Sequence, residues 1–323
     1  MQSPVRVPEE THIILQLEKL GFVKISDFPM EDFVPFQHGI TISDLSYSLL
    51  YAWETDYLYR IRIINGNPVI VGFDVPGTLF FSVIPVHAGT LMQTVEEMIG
   101  VLSAFGVDFL MKYIAAEDVP LFEEKGFRVE YSADFSDYVY DAAEFVNLNG
   151  KKNSSKRHEY NRFVHQNPDC RYADMTPEND EDTKKIFDKW CAEHSCAECI
   201  WGCERNAYLR LLELVRRYPA HYCGGIVYLG NEPVSFGIAE RINDRCVCYH
   251  VQKNAVPAGG LTYFLHYHMA LRHTDIPLIN WGEDMGLEGL RANKQKYHPS
   301  HMEVKYEIRF HAENPEERRL TVR

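Results

Sequence analysis

Apolar and polar positions follow two spacings along this chain, and the order of the predicted elements occurs twice. In the first half, strand-like apolar runs at residues 80–84 and 107–114 flank a helical pattern at residues 89–105. In the second half, a helical pattern at residues 260–272 likewise lies between two strand-like runs. Strands that alternate with helices predict an α/β fold.

Each half also contains a hairpin signal of related sequence. Gly66-Asn67-Pro68-Val69 separates two β-rich runs in the first half, and Gly230-Asn231-Glu232-Pro233-Val234 does so in the second. Because turn sequence and element order both repeat, we predict tandem domains at residues 1–145 and 146–323. Each is predicted to be a mixed twisted sheet flanked by helices. The order hairpin, strand, glycine-led helix, strand, helix, strand resembles the GNAT N-acetyltransferase fold.

Composition narrows the class of protein. The 323 residues carry a formal net charge of -13, which argues against binding of nucleic acid or membranes by the surface as a whole. No run of about 18 apolar residues predicts a transmembrane helix, and the first residues lack the apolar core of a signal peptide. We therefore expect a cytoplasmic protein whose 8 cysteines are thiols or ligands rather than disulfides.

A concentration of cations follows the predicted domain boundary. It comprises Lys151, Lys152, Lys156, Arg157 and Arg162. One interpretation is a local anion-binding patch for tRNA or a phospholipid headgroup. The alternative is a solvated linker helix, and the residues alone leave both open.

Four cysteines lie close together in the second half, namely Cys191, Cys196, Cys199 and Cys203. Four thiolates are able to hold zinc or an iron–sulfur cluster. The usual zinc pattern, however, has two ligand pairs separated by a longer loop, and this sequence continues from one helical pattern into another. A metal site here is the weaker interpretation.

The stretch from Asn280 to Pro299 carries the densest charge pattern. Glu283 and Asp284 follow a predicted strand, and Arg291 and Lys294 lie on the short helix that comes next. Carboxylates at a strand end followed by cations are typical of the active-site edge of an α/β protein. The alternative is a glycine-rich turn in which the carboxylates cap a solvated helix.

Two groups of motifs resemble one known family. The first group contains Asp137-Tyr138-Val139-Tyr140, Gly150-Lys151-Lys152 and Tyr160-Asn161-Arg162-Phe163. The second comprises Glu283-Asp284-Met285-Gly286, Gly289-Leu290-Arg291, Lys294, Tyr297, Pro299 and Lys305-Tyr306. Together they resemble the DUF2156 family, which is similar to the C-terminal domain of phosphatidylglycerol lysyltransferase. Two motifs depart from the family pattern, since Trp281-Gly282 in one and Gln252 in the other replace charged residues.

The resemblance implies tandem GNAT-like domains and aminoacyl or acyl transfer. The co-substrate is then aminoacyl-tRNA or acyl-coenzyme A, no tightly bound cofactor is expected, and the acceptor is a lipid headgroup or another small hydroxyl or amine. Glu283 or Asp284 is the expected base.

The remaining expected site residues bind the anionic partners. Lys253, Arg291, Lys294 and Tyr297, together with the cations of residues 151–162, are expected to contact substrate, and Gln252, Gly259 and Gly260 are expected to hold the donor near a helix start. Two alternatives stay open, a non-catalytic protein that binds a phosphorylated ligand or RNA, and a coenzyme-A-dependent N-acyltransferase.

Overall fold

The computed structural model describes residues 8–74, 77–131, 133–193 and 204–312. These residues form two compact units, one made of residues 8–137 and 303–312 and the other of residues 138–193 and 204–302. Each unit has its own apolar core.

The helices are short, with few exceptions. In chain order they are α1 (Pro8–Lys19), α2 (Met30–Phe33), α3 (Tyr47–Ala52), α4 (Glu54–Tyr57), α5 (Leu91–Ser103), α6 (Val119–Glu124), α7 (Ala143–Val146), α8 (Ser154–Gln166), α9 (Asp180–Glu193), α10 (Glu204–Arg217), α11 (Leu261–Ala270) and α12 (Glu288–Gln295). Single 3-10 turns lie at Ile25–Asp27, Val34–Gly39, Ser43–Leu45, Ala88–Thr90, Ala133–Phe135 and Pro219–His221.

The strands form two seven-stranded sheets. In chain order they are β1 (Val23–Lys24), β2 (Arg60–Ile64), β3 (Asn67–Phe73), β4 (Leu79–Val83), β5 (Phe109–Ile114), β6 (Glu130–Tyr131), β7 (Asp137–Asp141), β8 (Cys170–Asp174), β9 (Tyr222–Leu229), β10 (Glu232–Arg241), β11 (Cys246–Asn254), β12 (Leu278–Asn280), β13 (His301–Glu303) and β14 (Tyr306–Phe310).

The two sheets have the same plan. The first has the order β1-β2-β3-β4-β5-β14-β6, and the second, listed from its opposite edge, has the order β8-β9-β10-β11-β12-β7-β13. In each sheet one parallel pair, β4 with β5 and β11 with β12, is joined by a helix, while the recorded pairs on either side are antiparallel. The prediction of a mixed sheet in each of two tandem units is confirmed.

The closing strands are exchanged between the sheets. The sequence pattern predicts that each unit ends on its own closing strand, with the boundary between the units at residue 145. In the structure, β7 joins the second sheet and β14 joins the first, and the units divide after Asp137. The sequence pattern does not reveal this, because an alternating apolar strand fits the same position in either sheet.

The repeated hairpin sequence corresponds to two real hairpins that differ by one residue. Asn65 and Gly66 form the loop between β2 and β3, and both have positive φ, as a tight hairpin turn requires. The second copy has the additional residue Glu232, and the pairing of β9 with β10 shifts by one residue between Pro233 and Ser235. A β-bulge thus absorbs the extra residue of the second copy.

The long helices face their cores with the spacing that the sequence predicts. On α5 the buried apolar residues are Leu91, Val95, Met98 and Leu102, at intervals of three or four. Helix α8 buries Phe163 and also Lys156, which the sequence pattern does not foresee.

Candidate functional site

The second unit opens between its two parallel strands. Strand β11 pairs with β12 only from Cys246 to Cys248 and then continues to Asn254. A bulge opposite Ile238 and Ala239 leaves His250 without a residue facing it on β10. Beyond Cys248, the edge of β11 that faced β12 has no strand partner among the described residues, which leaves main-chain groups for a ligand.

A buried hydrogen bond between two side chains fixes this bulge, and the sequence pattern does not reveal it. The Nε2 atom of His250 lies 2.7 Å from Oε2 of Glu240, and both side chains are almost fully buried. Glu240 belongs to β10, so the pair ties the bulged strand to its neighbour. The alternation of β10 places Glu240 on the same face as Ile238 and Phe236, a position at which an acid is unusual.

A cleft of about 730 Å³ lies beside the free part of β11. Its walls come from the end of α9, the end of β11, the loop before α11 and one residue of α12. The lining residues are Trp190, Glu193, Gln252, Lys253, Asn254, Val256, Pro257, Ala258, Gly259, Thr262 and Asn293. The cleft thus brings together Gln252, Lys253 and Gly259, three of the predicted site residues, and its volume suits a drug-sized ligand.

One wall of the cleft is a hydrogen-bonded polar network. Asn254 Oδ1 accepts hydrogen bonds from Ser235 Oγ at 2.6 Å and from Gln252 Nε2 at 2.8 Å. Asn254 Nδ2 donates to Thr262 Oγ1 at 3.0 Å. Because the Thr262 oxygen accepts this bond, its own proton remains to be donated. The network holds the amide of Gln252 and the hydroxyl of Thr262 in fixed orientations at the cleft.

Lys253 supplies the positive charge of the cleft. Its ammonium group lies 3.7 Å from the centroid of the Trp190 ring and 2.6 Å from Oε1 of Glu204. The side chain is 12% exposed, so the charge is held in one place rather than moving in solvent. An anionic ligand group at Lys253 would take the place of Glu204 as its partner, and Glu193 adds a negative charge to the cleft lining.

Of the two glycines before α11, Gly259 lines the cleft and Gly260 is required by packing. Gly260 has φ +88°, and a Cβ atom there would lie 2.8 Å from Cβ of Phe163 and closer still to the Glu159 carbonyl oxygen. Gly259 is exposed, and its Cβ atom would meet only the end of the Arg162 side chain and Glu159 Oε2. The first amides of α11 have no acceptor within the helix, so the cleft is bordered by a helix N-terminus.

Asp284 is an anchor for Arg291. Its carboxylate accepts bonds from Arg291 Nε at 2.8 Å and Nη2 at 2.9 Å, from Tyr138 Oη at 2.6 Å and from the Gly286 amide at 2.9 Å. The side chain is 1% exposed, and the bonds from Arg291, followed by those from Tyr138 and Gly286, lower the pKa of Asp284 to about 2. A carboxylate with so low a pKa and every lone pair engaged is a poor proton acceptor. It also does not cap α12, whose first residue is Glu288.

Two further predicted contacts lie in the core of the second unit. Lys294 is 4% exposed and donates to the carbonyl oxygens of Trp281 and Gly282, the latter at 3.0 Å. Tyr297 is 3% exposed, and its ring centroid lies 5.0 Å from that of Trp281. Both residues shape the loop after β12, and neither is among the described residues that line the cleft.

The aromatic cluster around Tyr297 explains one departure from the family pattern. The rings of Trp281 and His266 are 4.6 Å apart, and burial, together with Lys294, lowers the pKa of His266 to about 3. Trp281 is 8% exposed and packs in this cluster. Packing within this aromatic cluster therefore accounts for a tryptophan at position 281.

The cations of residues 151–162 do not form one surface. Lys156 is 2% exposed and donates to the Tyr297 carbonyl oxygen at 2.8 Å, and burial lowers its pKa to about 8. Arg157 donates to the carbonyl oxygens of Leu148 and Gly150, and Arg162 pairs with Glu159 at 2.6 Å. Lys151 and Lys152 are exposed. Lys156 thus does not belong to an anion-binding patch, because its side chain is enclosed by protein.

Two other sequence predictions are only partly covered by the structure. Cys191 lies in α9 and is half-buried, while Cys196, Cys199 and Cys203 lie outside the described residues. Among the residues that the structure describes, no helix has the length and apolar character needed to cross a membrane.

Strand order, the opened parallel pair and the helix start beside it define the class of protein. Both units are GNAT-like, and the chain is a tandem GNAT-like protein. The family described as phosphatidylglycerol lysyltransferase, C-terminal, matches residues 39–309, and the chain belongs to this family. No curated protein sequence matches the chain.

The solved structures that share this fold include the following three. A conserved protein of unknown function from Bacteroides thetaiotaomicron is 24% identical, with a TM-score of 0.80 over 90% of this chain and 99% of the other. The C-terminal DUF2156 domain of a protein from Agrobacterium fabrum, described as a lysylphosphatidylglycerol synthetase, is 14% identical, with a TM-score of 0.63 over 87% and 92%. L-PGS from Bacillus licheniformis is 15% identical, with a TM-score of 0.62 over 91% and 94%. At these identities the likeness concerns the fold.

Proposed function

We propose that this protein transfers an aminoacyl group from aminoacyl-tRNA to a phospholipid headgroup. The cleft beside β11 carries this proposal, because it combines free main-chain edge, a helix N-terminus and a fixed cation in one place. Family membership supports the choice of donor and acceptor, since the family is described by a lysyl donor group and a phosphatidylglycerol acceptor.

The reaction is an exchange of one ester for another. A hydroxyl of the acceptor attacks the aminoacyl carbonyl, a tetrahedral oxyanion forms, and the ribose oxygen of the tRNA leaves with a proton. The protein must therefore supply oxyanion donors, a clamp for phosphate and a group that takes the proton. A reaction of this kind needs no metal, and positioning of the two substrates contributes much of the rate.

The residues divide these tasks. We assign the phosphate to Lys253 and the amides at the start of α11, because both border the cleft. We assign the oxyanion to main-chain amides of β11 beyond Cys248, where β12 no longer pairs. We assign the base to neither predicted carboxylate, since Asp284 is engaged by Arg291 and Tyr138 and Glu283 is not among the residues that line the cleft.

Gln252 and Thr262 then select the aminoacyl group. Both are oriented by Asn254, and both present neutral polar atoms to the cleft. The neutral amide of Gln252 does not form an ion pair with a side-chain ammonium group of the aminoacyl donor, whereas a carboxylate at position 252 would. We therefore do not assign the donor amino acid, and the experiment tests several donors.

The experiment supplies the chain with several donors at once. Purified protein is incubated with phosphatidylglycerol vesicles and tRNA charged with labelled lysine, or with a labelled mixture of the other amino acids, and the lipid is extracted and separated. The expected result is a labelled lipid whose bond is cleaved by mild alkali, as an ester is. A parallel reaction with labelled acetyl-coenzyme A tests the coenzyme-A-dependent alternative.

Two lysine variants make the assignment specific. Lys253→Met removes a charge-assisted contact, for which we expect the rate to fall about 10- to 100-fold, from the 1.5–3 kcal/mol of such bonds. Lys296→Met is the matched control, because Lys296 is an exposed lysine that does not line the cleft. No labelled lipid from any aminoacyl-tRNA with folded protein would overturn the proposal, and product from acetyl-coenzyme A alone would replace it by the alternative.

A further inference from the structure

The first unit contains a separate cavity that is partly open to solvent. Strands β4 and β5 pair from Leu79 to Phe81 with Phe109 to Met111, and they then separate. The gap between their ends, closed by residues 35–45 and the start of α5, holds about 360 Å³. An apolar cavity of about 150 Å³ is enough to bind benzene, so this space admits a larger ligand.

The walls of this cavity are apolar. Eight of the lining side chains are at most 4% exposed, namely Ile42, Leu45, Val83, Ile84, Leu91, Met111, Ile114 and Phe122. Aliphatic walls offer no hydrogen bonds, and a polar group placed against them would lose its hydration without compensation. The part of a ligand that enters the cavity must therefore be an apolar chain.

The charged residues that line the cavity are acidic. Glu117 and Asp118 lie where β5 runs into α6, and burial together with the Glu117 charge raises the pKa of Asp118. The other titratable residues in the lining are His38, which is exposed, and Tyr113. Lys112, next to Tyr113, does not line the cavity and pairs with Asp74 at 3.3 Å. The charge at the acidic end is therefore negative, which suits a cationic ligand group.

Backbone strain is also located at this place. Tyr113 has φ +63° within β5, a conformation that is costly for a bulky residue. Residues held in such conformations are concentrated at ligand sites, where the surroundings compensate for the cost. In the first unit this strain coincides with the point at which β5 turns away from β4 and the cavity opens.

We propose that the first unit binds a single alkyl chain that carries one terminal ammonium group, with the chain in the cavity and the ammonium at Glu117 and Asp118. The site lies in the other unit from the proposed transferase cleft and does not depend on that function. An amine at one end of an alkyl chain is the chemistry of amino lipids and simple alkylamines. Polyamines, with several cations, do not fit the apolar walls.

Four probes of equal chain length test the proposal by isothermal titration calorimetry on the full chain. They are octylamine, octanol, octanoate and 1,8-diaminooctane. We expect octylamine to bind at least about tenfold more tightly than octanoate, whose charge is repelled, and than 1,8-diaminooctane, whose second ammonium would be buried among aliphatic side chains. Equal binding of octanoate and octylamine, or no binding of octylamine to the folded protein, would overturn it.

Variants connect the signal with this cavity. Asp118→Asn is expected to weaken octylamine about tenfold and to leave octanol unchanged, because only the ammonium contact is lost. Glu124→Gln is the matched control, since Glu124 is an exposed acid on α6 that does not line the cavity. Ile42→Phe reduces the cavity volume and is expected to weaken both ligands. Octylamine binding that survives both Asp118→Asn and Ile42→Phe contradicts the proposed site.

Discussion

The glycine pair at the start of α11 gives a sharp test of the cleft, because the two glycines differ in what a methyl group would meet. Replacing Gly260 by alanine places a Cβ atom 2.8 Å from Cβ of Phe163 and still closer to the Glu159 carbonyl oxygen, both on α8. The backbone at Gly260 also has φ +88°, a conformation that residues with a Cβ atom rarely adopt.

The expected loss of stability is the sum of two terms. The left-handed conformation costs a non-glycine residue about 1–2 kcal/mol. Overpacking against α8 adds about 1–3 kcal/mol, because the opposing atoms belong to helical backbone and to a Cβ atom that cannot rotate away. Gly260→Ala should therefore reduce the free energy of unfolding by about 2–5 kcal/mol, a large part of the stability of an ordinary domain.

Gly259→Ala is the control, because its methyl group would meet mainly the end of the Arg162 side chain. That guanidinium can move, and its pair with Glu159 is a partly exposed contact between neighbouring helical turns. We expect a loss below about 1 kcal/mol. Urea unfolding, followed by circular dichroism, gives the denaturation midpoint of each variant. A shifted midpoint with an unchanged slope of the transition reports a change in the free energy of unfolding. Equal midpoints for Gly260→Ala and the natural chain, or equal losses for the two variants, would refute the reasoning.

Three further variants test buried charges. Asp284 has a pKa of about 2 in the fold and 3.8 ordinarily, so its ion pair contributes about 2 kcal/mol of stability above pH 4, and this is lost as the pH falls towards 2. Asp284→Asn should flatten this acid dependence of the urea midpoint, and an unchanged dependence of the midpoint on pH would contradict the assignment. The pKa of Lys156 is lowered to about 8 from 10.5, so the unfolded chain holds that proton more tightly and the free energy of unfolding should rise on the order of 3 kcal/mol between pH 8 and 10.5. Lys156→Met should lack this rise, and a urea midpoint that rises equally in the variant would exclude Lys156 as the source of the rise. Lys305→Met removes the buried cation beside the carboxylates of Asp44 and Asp137 and should lower the free energy of unfolding in urea by about 3–5 kcal/mol, while Lys125→Met, at an exposed lysine, should cost little. Similar small losses in both variants would show that the Lys305 ammonium group does not stabilise the two carboxylates.

The spacing of apolar residues was sufficient to predict the individual helices and strands and the duplication of the unit. The helices around the parallel pairs bury residues at intervals of three and four, and the hairpins carry glycine and asparagine where a tight turn needs them. What periodicity cannot assign is the partner of a strand. Strands β7 and β14 have the same sheet position in the two units, so local pattern fits each of them to either sheet, and only long-range pairing decides.

The candidate site shows a second limit, which concerns what a charged residue does. Residue type and position led to Gln252, Lys253 and Gly259, because the end of a strand and the start of a helix meet at any opened parallel pair. The same reasoning placed Lys156 and Lys294 in contact with substrate, although both donate to main-chain carbonyl oxygens inside the second unit.

A lysine at the end of a long aliphatic stem can bury its charge where a loop leaves carbonyl oxygens unpaired, and a sequence does not show where such carbonyls lie. Asp284 and Arg291 illustrate the same limit, since a carboxylate seven residues before an arginine has the same sequence whether it takes a proton or holds the guanidinium. The number and direction of donors around the carboxylate decide between these roles. Here Arg291, Tyr138 and the Gly286 amide occupy it, so Asp284 holds Arg291 in place and does not take a proton.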